Sequence, residues 1–198
     1  METLAEQSRN VDLPSSPVHS VFDHFYAKPT TSDLFEYLQT QHISEPASRF
    51  IMLQLMSIVQ YLDSRNMVHR DIKDENIIID HRTLRILLVD FGSIVVFTRG
   101  EGIRSFLGTL QYAAPEVLAS KKYDAQPAEV WQIGCLLYIM LSSRIPFSSS
   151  RQAQFEGMNR IETYVSAWAL DLVESMLVKD PKRRATISDI INHPWMLG

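Results

Sequence analysis

Cysteine is nearly missing from this chain. Cys135 is the single one in 198 residues, and it lies inside the apolar run IGCLLYIML. One thiol excludes an internal disulfide framework and a cysteine-based zinc site. In that setting it reads as a buried, inert side chain. Long hydrophobic runs are missing too: no stretch approaches the roughly 18 consecutive apolar residues of a membrane helix. The opening METLAEQSRNVDLPSSP is acidic and polar, without the apolar centre of a secretory signal. Positive charge is in short supply, with 19 Lys and Arg against 23 Asp and Glu, a net charge of −4 and a pI of about 5.8. That balance leaves no electrostatic footprint for nucleic acid. The one basic cluster, Lys182-Arg183-Arg184, is short, and Lys182-Arg183 reads as a solvated turn. Repeats and low-complexity tracts are also lacking. These absences lead us to expect no nucleic-acid or membrane partner, and a cytoplasmic location that can extend to the nucleus.

What is present fits one globular domain. Hydrophobic residues make up 45% and charged residues 21%, and the length suffices for a sizeable core. Residues 1–17 read as a flexible lead-in ending in LPSSP, and 18–27 as one short strand. Pro29 breaks the chain; Thr31 or Ser32 then caps a short helix opening at Asp33. Ser44 and Pro46 start a second helix running to about Arg65. There Ile51, Leu55, Ile58 and Leu62 fall at helical spacing, widened by Met52, Met56 and Val59. NIIID (76–80) and RILLVD (85–90) read as two strands joined by a tight turn. Residues 91–116 show no sustained period and are expected to be a long functional loop. The stretch 128–141 is apolar nearly all round, as suits a helix at the centre of a helical lobe. Further helices are expected over 166–177 and 186–194, the latter capped by Thr186 and ended by His193-Pro194.

The chemistry gathers in MVHRDIKDENIIID (67–80). Asp71 and Asn76 stand five apart with Lys73 between them, and Asp90 closes the next strand, before Phe91-Gly92. A carboxylate with an amide oxygen suits Mg²⁺, which prefers hard oxygen ligands. Phosphoryl transfer needs charge neutralisation on the phosphates and a carboxylate to orient the attacking hydroxyl. Asp71 suits the second task, Asn76 with Asp90 the first, and Lys73 can neutralise a γ-phosphate.

HRDIKDEN (69–76), DFG (90–92) and GTLQYAAPE (108–116), in that order and followed by VWQIG (130–134) and DPKRR (180–184), resemble the protein kinases over residues 18–197. The resemblance implies a mostly α fold: the large, carboxy-terminal kinase lobe, with a small β-hairpin near the catalytic loop. It implies ATP and Mg²⁺ as cofactors and Ser or Thr of protein substrates as acceptors, since Lys73 two residues after Asp71 is the serine/threonine-kinase pattern. It implies roles residue by residue. Asp71 would be the catalytic base, Lys73 the γ-phosphate lysine, and Asn76 and Asp90 the metal ligands. Thr109 would contact Asp71 and Lys73. Arg70 would pair with a phosphorylated activation loop, for which Ser105 is the candidate; its alternative is a solvated loop serine. His69, Phe91 and Gly92 would be structural. Glu116 and Arg184 would form a buried ion pair. Ile78 would lie under the adenine ring, and Phe22, Asp23 and Phe25 would belong to the hinge whose backbone bonds adenine. Glu129 stands where the family usually has Asp capping the catalytic-loop backbone. With DLFEYL and DFGS, it narrows the resemblance to the PAS-domain-regulated kinases of the calmodulin-kinase-like group. Glu75 and Asp33 could attract a basic substrate residue.

A complete kinase also needs a glycine-rich loop and a strand-borne lysine paired with glutamate. The only GxG here is Gly100-Glu101-Gly102, after the DFG. The only lysine before Lys73 is Lys28, followed by Pro29, which disfavours a central strand. The expectation is that the amino-terminal lobe is largely absent, as in a piece of a longer coding sequence. ATP would then lie on an open shelf, and turnover by the chain alone would be weak. A partner could cover the apolar surface so exposed. The alternative to an enzyme is a truncated, kinase-derived binding or regulatory module.

Overall fold

The computed structural model describes residues 30–119 and 122–198. The expected lead-in, the strand over 18–27 and the hinge residues Phe22, Asp23 and Phe25 lie outside the described residues. In chain order the elements are β1 (Thr31–Asp33), α1 (Leu34–Thr40), α2 (Glu45–Ser64), β2 (Met67–Val68), β3 (Ile77–Asp80), β4 (Ile86–Leu88), β5 (Val95–Val96), α3 (Pro115–Ala119), α4 (Ala125–Ser142), α5 (Ser150–Phe155), α6 (Ala167–Met176), α7 (Ile187–Ile191) and α8 (Pro194–Leu197).

α4 is the axis of the fold. It is buried along nearly its whole length and packs against α2 on one side and α6 on the other. Trp131 is fully buried there and stacks on Phe147 at 5.1 Å. α2 turns the stripe Ile51, Met52, Leu55, Met56, Val59 and Leu62 into this core. Its start is as expected, with Ser44 accepting from the Ala47 N–H and Pro46 in the first turn. α4 begins three residues earlier than its apolar run, because Pro127 is tolerated in a first turn whose N–H groups lack partners within the helix.

The expected hairpin is part of a three-stranded antiparallel sheet of order β1-β3-β4, with Ile77 opposite Leu88 and Thr31 opposite Asp80. Thr31 and Ser32 therefore do not cap a helix. They extend a strand, and Asp33 itself caps α1 by accepting the Glu36 N–H at 2.7 Å. The loop expected over 91–116 carries β5, which pairs with β2, and the start of α3. His193-Pro194 does not end α7. That helix stops at Ile191, and His193 caps α8 with Pro194 in its first turn, where a residue without an N–H costs nothing. The β2–β3 connection runs across the amino-terminal part of α4, and that placement builds the site.

Candidate active site

His69 opens the connecting loop and is fully buried. Its Nε2 lies 3.1 Å from the Val89 carbonyl and its ring meets Phe91 edge-on at 5.3 Å. Burial holds the imidazole below its usual range, against the charges of Asp71 and Asp90. The ring is then neutral near pH 7, with its proton on Nε2, because a carbonyl only accepts.

Arg70 adopts the left-handed conformation, φ +69°. Its N–H donates to Glu129 Oε2 at 2.9 Å, and its carbonyl accepts from Gln132 Nε2 at 2.7 Å. Its guanidinium donates to the Ser93 carbonyl at 2.5 Å and, at 3.2 Å, to both the carbonyl and the hydroxyl of Ser105. Tyr123 also donates to the Ser105 carbonyl. Ser105 is exposed. Burial pushes the Glu129 carboxyl up to about 7, while the backbone N–H groups of Arg70 and His69 oppose the rise.

Asp71 is buried and tied to three of the predicted groups. Oδ1 accepts from the Thr109 N–H at 2.9 Å and the Thr109 hydroxyl at 3.0 Å. Oδ2 accepts from Asn76 Nδ2 at 3.0 Å and lies 3.7 Å from Lys73 Nζ. Lys73 Nζ donates to the Thr109 hydroxyl at 2.9 Å. Thr109 comes this close because Gly108 precedes it. A Cβ at Gly108 would stand 2.6 Å from the Arg70 carbonyl, and its φ of +144° is one that side chains disfavour.

Asn76 spends its Nδ2 on the Asp71 carbonyl and carboxylate, so its amide oxygen is the atom left for a cation. The Val89 N–H donates to the Asn76 carbonyl at 2.9 Å, which brings the exposed Asp90 alongside. Asp90, at φ +61°, uses Oδ1 to accept the Gly92 N–H at 3.3 Å. These oxygen donors fit Mg²⁺. Among the described residues no group of three His, Cys, Asp or Glu forms a metal site. Ile78 is half-buried in the central strand, opposite Leu87 and Asp33.

The remaining predicted groups are spread over the lobe. Arg184 donates to Glu116 through two bonds, at 2.6 and 2.8 Å, with its side chain fully buried. It also donates to the carbonyls of Pro127, Val178 and Lys179 and lies over the Trp131 ring at 5.0 Å. Glu75 is exposed at a groove of about 150 Å³ shared with Asp74, Phe35 and Gln111. Burial and the neighbouring Asp74 push its carboxyl up. Asp33 does not line this groove; it caps α1. Gln132 escaped the sequence reading. The signal was there: it stands one helical turn from Glu129, and both are polar in an apolar run.

Residues 21–196 match the protein kinase domain family. The chain is 36% identical over 170 residues to the serine/threonine-protein kinase SIK2 of Gallus gallus, covering 83% of this chain and 21% of that protein. It is 34% identical over 159 residues to the probable serine/threonine-protein kinase MARK-A of Dictyostelium discoideum, 78% of this chain and 15% of that one. Protein kinase kin1 of Schizosaccharomyces pombe is 31% identical over 197 residues, 96% and 22% respectively. The chain thus spans between 15% and 22% of the length of these relatives.

Proposed function

The chain belongs to the protein kinase family, and from that premise we propose that it transfers the γ-phosphoryl group of ATP to Ser or Thr hydroxyls of proteins. The observation that carries this is the junction at Asp71. One carboxylate joins the catalytic loop to the later segment through Thr109, with Lys73 and Asn76 bonded into the same network.

Asp71 Oδ1 already accepts two hydrogen bonds and Oδ2 accepts one, which leaves a lone pair on Oδ2 for the substrate hydroxyl. In the reaction the hydroxyl oxygen bonds to the γ-phosphorus and the bond to the β,γ-bridging oxygen breaks. ADP departs, and the hydroxyl proton passes to Oδ2. Lys73, 2.9 Å from Thr109, holds a positive charge at the point where the phosphoryl group would pass. Asn76 Oδ1 and Asp90 would hold Mg²⁺, which supplies charge neutralisation on the phosphate oxygens. Two finer readings join the proposal. The exposed Ser105 hydroxyl beside Arg70 is suited to carry a regulatory phosphate. Glu75, exposed at its groove, and Asp33 favour substrates with a basic residue near the target, within the PAS-regulated group that the sequence resembles.

The test is phosphorylation of a degenerate Ser/Thr peptide library with Mg-ATP. We expect weak incorporation by the chain alone that falls to background in Asp71→Asn and Asp90→Asn, while both variants keep the wild-type melting profile. Incorporation that survives in both would place the chemistry elsewhere.

A further inference from the structure

On its first turns α4 carries two polar side chains, Glu129 and Gln132, each no more than 5% exposed. Both turn outward from the core to the loop that bears Asp71. Glu129 Oε2 accepts the Arg70 N–H at 2.9 Å. Gln132 does more. Its Nε2 donates to the Arg70 carbonyl at 2.7 Å, and its Oε1 accepts the Ile72 N–H at 3.2 Å. One side-chain amide thus holds the peptide groups on both sides of Asp71. A carboxamide has a donor and an acceptor at the same end, and this bridge needs both.

The loop needs such a clamp because its backbone is strained. Arg70 sits at φ +69°, a conformation that persists only where the surroundings impose it. The Arg70 carbonyl is hemmed in from the other side by Gly108, where even a Cβ would come within 2.6 Å. Gln132 on α4 supplies that carbonyl's partner. The clamp is buried, so an unmade bond there is not replaced by bulk water.

We propose that Gln132 is a positioning residue for Asp71, acting through the Arg70 and Ile72 peptide groups, with Glu129 holding the Arg70 amide from the same turn. The proposal rests on the phosphoryl-transfer reading of Asp71. Gln132 touches neither phosphate nor acceptor in that reading, so its removal should show in rate and not in affinity.

Gln132→Met keeps length and bulk but neither donates nor accepts as an amide does. Exchange of the Ile72 amide with deuterium should accelerate by roughly tenfold or more. The kcat should fall about 10- to 100-fold, with KM for Mg-ATP held within about twofold. Gln132→Glu provides the contrast. Its carboxylate still accepts from Ile72, but only its protonated form can donate to the Arg70 carbonyl. Its rate relative to the wild type should therefore rise as pH falls from about 8 to 6, while the ratio for Gln132→Met stays flat. The charged groups around the clamp are Asp71, Arg70 and His69 on the loop, Glu129 on the same helix and Asp63 at the end of α2. A carboxylate at 132 also acts on Glu129 one turn away, so both ratios are read in a Glu129→Gln background, where the helix carries no second titrating carboxyl. A flat Gln132→Glu ratio, or a Gln132→Met chain with wild-type Ile72 exchange and kcat, would overturn the proposal. If Gln132→Met does not fold, the Gln132→Glu ratio decides. If the wild type shows no turnover, the phosphoryl-transfer reading fails by itself, and Ile72 exchange in Gln132→Met still supports or overturns the clamp.

Discussion

Glu129 shows how burial alters a residue's chemistry. Its carboxylate reaches the Arg70 amide, yet burial makes the charged form costly and pushes the group up to about 7. The folded chain therefore binds this proton more tightly than the unfolded chain does. Its stabilising contribution is fully present below about pH 4.5 and is lost as pH rises through about 7. The loss is on the order of 3 kcal/mol. His69 acts in the opposite sense, because burial lowers it and acid must charge it to release the fold. The useful quantity is thus the difference between two proteins. We expect Glu129→Gln to gain thermal stability over the wild type as pH rises from 5 to 8, measured by calorimetry across that range. A difference that does not change with pH would show that Glu129 keeps its ordinary proton affinity. The sequence singled out Glu129 as a cap but was silent on its titration, since burial belongs to the folded state alone.

At the scale of elements, α4 owes its place to composition and its contacts to one glycine. The run from Val130 to Leu141 is apolar nearly all round, so no face of the helix is left for solvent. That much is legible from the residues. Which helices enclose it is not, because an all-round apolar helix names no partner face. Gly134 lets α6 approach: a Cβ there would stand 2.9 Å from atoms of both Met176 and Leu177. Gly134→Val should cost about 1–3 kcal/mol through overpacking, read from urea unfolding. A cost near zero would mean that α6 shifts freely. The strand Thr31–Asp33 makes the complementary point. Its residues are acceptable helix-starting residues, and only pairing with β3 decides that they extend.

The whole molecule is held by a few polar ties across long stretches of sequence. Glu45 at the start of α2 accepts from the Ser166 N–H and hydroxyl and from the Trp195 indole, joining α2 to α6 and α8. Burial pushes its carboxyl up, but these bonds outweigh it and leave the group below its ordinary range. Arg184 and Glu116 form the tie between the segment after Asp90 and the carboxy-terminal helices. Five polar contacts surround the Arg184 guanidinium, so removing it strands Glu116 and three carbonyls. Arg184→Ala should destabilise by about 3–5 kcal/mol, seen in chemical denaturation. A loss under about 1 kcal/mol is the scale of an exposed pair and would contradict the buried one.

By itself the sequence determined the helical periods and the capped starts at Ser44 and Thr186, and its motifs, through their resemblance to the kinases, pointed to the set Asp71, Lys73, Asn76, Asp90 and Thr109. The first are local, and the motifs are short runs legible in the order of residues. Only the tertiary structure decided that Thr109 closes on Asp71 across 38 residues, that Glu129 sits in a setting that raises it, and that Gln132 holds the loop. Each of these depends on where α4 lies against the loop from β2 to β3. That placement is set by close packing of apolar side chains, which the order of residues does not display.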